Sequence, residues 1–286
     1  MLEMLINPRK AERKPWELFF VGAFYAFLSL FLVKWIFASD TVLSRYSGIL
    51  VVTFIVMFSM PFIYYTIRLE ENRITPRSGT FSLLKEHRRA IYTFVFLFLG
   101  FVVAFSIFYI LSSSTQSFSA QIETFCQINR PSTFNDCVTQ YGVKDFSSST
   151  TGYVTGSERF FLILLNNIYV LIFTLIFSLI FGAGVIFVLA WNASVIAAAI
   201  GIFTKSQLSS LPLGLLRYLI HGIPEIASYF IVALAGGLVS IAVIKHESGT
   251  DKFWEVLLDS LNLIVLAIII LVVAAAMEVY VTPLLF

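Results

Sequence analysis

Charged side chains are scarce in this 286-residue chain, at 13% Asp, Glu, Lys and Arg, against about 25% in an ordinary soluble domain. A soluble fold this rich in apolar residues could not cover them with so few charges. That excludes a secreted soluble enzyme and a disordered scaffold. The formal net charge is only +2. Nucleic acid is therefore excluded as a partner, because binding its phosphates takes a dense basic face. Cysteine is nearly absent, with 2 residues, and histidine numbers 3. What fills the space is 58% hydrophobic and 16% aromatic sequence, with a mean hydropathy of +0.89. The composition is that of an all-α, polytopic transmembrane helical bundle whose first partner is the lipid bilayer.

A span needs about 20 apolar residues to cross some 30 Å of hydrocarbon. Residues 16–37, 47–67 and 90–111 meet this length and form the first transmembrane section, 16–111. Arg9, Lys10, Arg13 and Lys14 make residues 1–15 a basic tail. No small-residue cleavage site follows, and the apolar run is too long for a signal peptide, so the first span reads as a signal anchor. The 38–46 loop carries only Arg45, whereas the 68–89 loop carries Arg68, Arg73, Arg77, Lys85, Arg88 and Arg89. This alternation is the positive-inside pattern and predicts a multi-pass protein of the cell membrane with a cytoplasmic N-terminus.

Three crossings place residues 112–159 outside. This stretch is the long polar segment of the chain and holds both Cys126 and Cys137. Two nearby cysteines in an oxidising compartment predict a disulfide, which stabilises by about 2–4 kcal/mol. Residues 160–286 form the remaining core. The apolar block 160–203 would reach on the order of 66 Å as one helix, so it must break, and Gly182 and Gly184 mark the natural place. Pro212 and Pro224 interrupt the next apolar pattern, and runs at 226–244 and 261–281 follow. The expectation is six to seven spans, some broken or re-entrant, the breaks being buried in protein or lining a cavity.

Lipid penalises polar groups by a few kcal/mol each, so every such group inside a span needs a reason. The candidates are Asn166, Asn167, Asn192, Arg217, His221, Glu225 and Glu278. His221 and Glu225 share a face at i, i+4 spacing and can hydrogen-bond if helical. Pro224 fits the first turn of a helix starting near Gly222, with His221 at its boundary. All but Arg217 are expected to converge into one buried polar cluster, since mutual hydrogen bonding removes much of the cost of burial. Three roles fit such a cluster: structural glue between helices, an ion or proton path, or intramembrane catalysis. Neither HExxH nor GxSxG occurs, and His87 and His246 lie outside the spans. A zinc site wants three or four ligands. No catalytic residue, metal ligand or cofactor is therefore assigned, and the chain is not expected to be an enzyme. The many Phe serve packing and lipid contact. Trp16, Trp35 and Trp254 suit an interfacial belt, and the small residues of ASVIAAAIG and ALAGG suit close helix packing.

Three segments in order carry a resemblance: LLNNIYV with FGAG and Asn192, then HGIPEI, then AAMEVYVTP. Over residues 160–286 the chain resembles the stage II sporulation protein M family. There, paired Asn residues precede a His-Gly-x-x-Glu-like helix start and an Ala-rich segment with a Glu before a Pro. The resemblance implies an integral membrane scaffold or assembly component. The family member of endospore formers belongs to a peptidoglycan-degrading machine whose hydrolytic activity lies in its partners, and relatives occur in archaea. The partners implied are further copies of the chain or other membrane and envelope proteins. A transporter or channel subunit using the Asn/His/Glu core is the alternative, and an intramembrane hydrolase the third.

Overall fold

Each long apolar run becomes a helix, because in lipid a helix satisfies its own backbone hydrogen bonds. The computed structural model describes residues 14–37, 39–40, 42–71, 80–112, 116–130, 133–141, 156–181, 185–204, 207–244 and 250–286. Helices α1 (Glu17–Phe37), α2 (Ser47–Glu71) and α3 (Thr80–Leu111) come first, followed by two short helices, α4 (Ser119–Asn129) and α5 (Phe134–Gln140). Then come α6 (Gly156–Phe181), α7 (Val185–Phe203), α8 (Leu211–Ile244) and α9 (Asp251–Ala276). A π-helical turn, Met277–Val281, joins α9 to the last turn, Thr282–Leu285. Among the described residues, seven helices are long and apolar enough to cross a membrane. Arg9, Lys10, Arg13, Arg73, Arg77, Gly182 and Gly184 lie outside the described residues.

The prolines behave differently from the sequence expectation. Helix α8 runs unbroken from Leu211 to Ile244 with Pro224 inside it. His221 therefore sits in the body of the helix and not at its start. Pro212 occupies the first turn, where its missing N–H costs nothing. Continuing past Pro224 sacrifices one backbone hydrogen bond, whereas a break at membrane depth would expose a full set of helix-end groups. Lipid makes continuation the cheaper choice.

Helices α3, α7 and α8 form the centre of the bundle, and α1, α6 and α9 its rim. Small residues set the closest seams. A Cβ on Gly22 would strike the Leu97 carbonyl, and one on Gly100 the Phe19 carbonyl, so α1 and α3 touch backbone to backbone. Gly201 accepts the Tyr109 ring, and Gly236 lies against Ser178 and Leu175. Phe94 and Phe230 stack at 4.9 Å between ring centres, tying α3 to α8. Trp16, Trp35 and Trp254 are exposed near helix ends.

The polar 112–159 segment does more than connect. Helix α4 and the turn before it press into the bundle, burying Phe118, Ile122 and Cys126. Gln121 Nε2 donates to the Gly48 carbonyl of α2 and to Ser194 Oγ of α7, both at 3.2 Å. Cys126 of α4 and Cys137 of α5 are joined by a disulfide, with Cα atoms 5.9 Å apart. Burial pushes the Glu123 carboxyl above its ordinary pKa. Successive crossings put this hairpin, the α7–α8 connection and Phe286 on one side, the hairpin side.

Candidate functional site

All six residues of the expected cluster line one cavity of about 100 Å³. Asn166 and Asn167 come from α6, Asn192 from α7, His221 and Glu225 from α8, and Glu278 from the π-helical turn. Phe125 and Ile128 of α4 line the cavity on the hairpin side. The volume holds a few water molecules, each needing two or more polar partners. Arg217, also singled out by sequence, does not line it. Its guanidinium instead lies over the Phe203 ring at 4.9 Å and the Phe286 ring at 5.9 Å.

The hydrogen bonds differ from the pairing expected. His221 and Glu225 share a face but each turns to another partner. His221 Nδ1 lies 3.1 Å from Thr282 Oγ1, and that hydroxyl donates to the Met277 carbonyl at 3.1 Å. The donor and acceptor in the His221–Thr282 contact follow the imidazole tautomer. Glu225 Oε1 accepts from Tyr229 Oη at 3.0 Å. Asn166 Nδ2 donates to Asn167 Oδ1 at 3.2 Å, and Asn192 Nδ2 donates to the Val188 carbonyl at 2.8 Å. Asn167 and His221 are buried, while Asn166 is exposed.

Sequence reasoning did not single out Tyr229, Thr282 or Arg159. Tyr229 stands four residues after Glu225 and Thr282 four after Glu278, so helical spacing was the available signal. Arg159, in the first turn of α6, acts electrostatically on Glu278 and His221. The π turn puts Glu278 at the cavity and is bridged at its end by Thr282. Such turns recur at functional sites. Among the described residues, no three of His, Cys, Asp and Glu gather closely enough to hold a metal ion.

This arrangement lies inside a sequence match that covers nearly the whole chain. The family of stage II sporulation protein M matches over residues 18–283. The chain belongs to that family. Membership reaches through α1–α3, beyond the 160–286 section whose motifs carried the resemblance. An uncharacterized protein of the archaeon Methanocaldococcus jannaschii is 34% identical over 167 residues, which cover 56% of this chain and 85% of that protein. No solved structure matches. In this family member, seven of the described helices are long and apolar enough to cross a membrane, and a disulfide-linked hairpin lies over the polar cavity.

Proposed function

We propose that this family member is a non-enzymatic assembly component of the cell membrane, with the hairpin side facing outward and presenting a fixed surface to envelope partners. The observation that carries the reading is the docking of α4 and α5. A segment built only to connect spans needs neither a disulfide nor a buried glutamine tying it to two transmembrane helices. Held this way, the hairpin offers Arg130, Asn135, Asp136, Thr139 and Gln140 as an exposed polar face. Preorganised surface lowers the entropy lost when a partner binds. The alternation of basic loops supports the outward direction. An impermeant thiol reagent should label a cysteine placed at Ser148 in intact cells but not one at Ser78, both positions being outside the described residues.

The test of the assembly role is site-specific photo-cross-linking in the native membrane. Cross-linkers at Asn135 and Thr139 should give discrete protein adducts that disappear in the Cys126→Ser/Cys137→Ser chain. A cross-linker at Leu261, on the exposed flank of α9, should give lipid adducts. Adducts unaffected by loss of the disulfide would contradict the reading.

A second reading, a transport subunit, is favoured by the cavity itself, because two carboxylates and a histidine meet there at membrane depth. On the far side of Glu225, however, Tyr229, Val232, Ala233, Ala235, Leu263, Ala267 and Leu271 are all buried. The polar region therefore has a closed floor in this conformation, as a binding pocket has. Cation flux through reconstituted vesicles that is lost in Glu225→Gln would establish transport over assembly.

A further inference from the structure

The hydrogen-bonding groups left facing the cavity are unbalanced. Glu225 gives Oε1 to Tyr229 and keeps Oε2. Glu278 makes no hydrogen bond among the described residues. Asn192 turns its Nδ2 back on Val188, which leaves Oδ1. Asn166 likewise donates to Asn167 and retains its own oxygen. Unused acceptors thus come from four helical elements, and two of them belong to carboxylates. Glu225, Glu278 and Asn192 are half-buried, so these acceptors face the cavity and whatever fills it. Buried acceptors without donors are costly, and the cost is greatest for charged groups.

Arg159 already acts on Glu278 and His221; an occupant that suits the remaining acceptors better than water carries positive charge and donates several hydrogen bonds. A metal ion needs ligands converging on a point, and the acidic and histidine side chains do not do so. They ring a space of about 100 Å³. That space suits an –NH3⁺ group, with three donors, on a short stem. We infer that the cavity between α6, α7, α8 and the π turn is a binding site for a protonated primary amine.

The approach to the site is visible on α6. Asn166 lines the cavity yet is exposed, among Leu162, Leu165 and Tyr169, which are 56%, 50% and 69% exposed. Those three face away from the bundle, where lipid lies. The cavity therefore reaches the flank of the bundle at Asn166, and the amine of a lipid headgroup has a path to it. A soluble amine carries the same chemistry, and experiment separates the two sources. The inference goes beyond the assembly role: failure of hairpin cross-linking leaves it intact, and its own failure leaves the assembly role intact.

The test uses the purified full chain in detergent, with native mass spectrometry and thermal unfolding as readouts. The probes are dioleoyl phosphatidylethanolamine, dioleoyl phosphatidylcholine and soluble ethanolamine. Phosphatidylethanolamine should stay bound and raise the unfolding midpoint by roughly 5 °C at saturation. Phosphatidylcholine, whose quaternary ammonium has no N–H, should bind about tenfold more weakly or worse. A shift with ethanolamine but none with phosphatidylethanolamine would support the amine site and assign its source to water. Glu225→Gln and Glu278→Gln should each weaken amine binding about tenfold, and Met57→Leu, on the exposed face of α2, should not. If one carboxylate variant fails to fold, the other decides, and the comparison of the two lipids needs neither. Equal retention of both lipids by the unaltered chain, no response to either amine, or unweakened binding in a folded carboxylate variant would overturn the inference.

Discussion

The α1–α3 seam and the α6–α9 cluster hold helices together in opposite ways. At the first, Gly22 and Gly100 let two backbones meet with no room for a side chain. At the second, Asn, His and Glu side chains reach across a cavity from separate helices. Lipid tails are as apolar as Leu, so burying apolar surface does little to bring helices together in the bilayer. Close backbone packing and polar contact are the two means that remain. The seam uses the first and leaves no space. The cluster uses the second and leaves space for a few waters or a small ligand. A seam of the first kind only stabilises, whereas a cluster of the second kind can also bind.

The contrast can be broken most severely at the seam. A Cβ at Gly100 also meets the Ala23 amide nitrogen at 2.8 Å, where there is only backbone and nothing can swing aside. Gly100→Leu should destabilise by about 3 kcal/mol or abolish folding, read by unfolding in detergent. A loss under 1 kcal/mol, or about the size of a surface change, would show that the helices separate easily. Next comes the hairpin. Cys126→Ser/Cys137→Ser should cost about 2–4 kcal/mol and loosen the roof over the cavity, seen as faster hydrogen exchange in α4.

The cluster should respond to chemistry more than to volume. Glu225→Leu leaves the Tyr229 hydroxyl without its acceptor and should cost about 1–3 kcal/mol. Glu225→Gln keeps an acceptor and should cost less than about 1 kcal/mol, judged by the same unfolding assay. Equal losses for the two would mean that shape alone matters there. The smallest effect belongs to a surface turn outside both regions. The Leu43 and Val42 amides donate to Asp40 Oδ1 at 2.7 and 2.8 Å, holding this carboxyl below its ordinary pKa. A lowered carboxylate pKa contributes stability above the unfolded value that is lost as pH falls through the folded one. Asp40→Asn should therefore remove a slight acid-side loss and leave neutral pH nearly unchanged, checked by unfolding midpoints across pH.

How much was legible follows from what lipid penalises. Asn166, Asn167, Asn192, His221, Glu225 and Glu278 stood out because each is expensive at membrane depth, and the bundle brings them to one cavity. Tyr229 and Thr282 did not stand out, because Tyr and Thr are ordinary in spans and their hydroxyl partners depend on packing. The span count was legible from apolar run lengths, but the path through Pro224 was not. A proline that ends a helix in water can remain inside one in lipid, where no solvent receives the freed groups. In sequence the hairpin is a polar stretch whose two nearby cysteines predict a disulfide. That Gln121 and Ile122 would be buried against α2 and α7 is a tertiary fact with no local signature.

One asymmetry is central: the cavity between α6, α7, α8 and the π turn is polar and has room for water, and the bundle beyond Glu225 is packed with buried side chains. Single cysteines at Asn192, which lines the cavity, and at Ala233, which is 2% exposed on α8, test it directly. The cysteine thiolate attacks the sulfur of the methanethiosulfonate and expels its sulfinate, and the thiolate needs water to form. With the native disulfide intact, a small water-soluble methanethiosulfonate should modify Asn192→Cys and leave Ala233→Cys unreacted. Equal reactivity at the two positions, or an inert Asn192→Cys, would contradict the account.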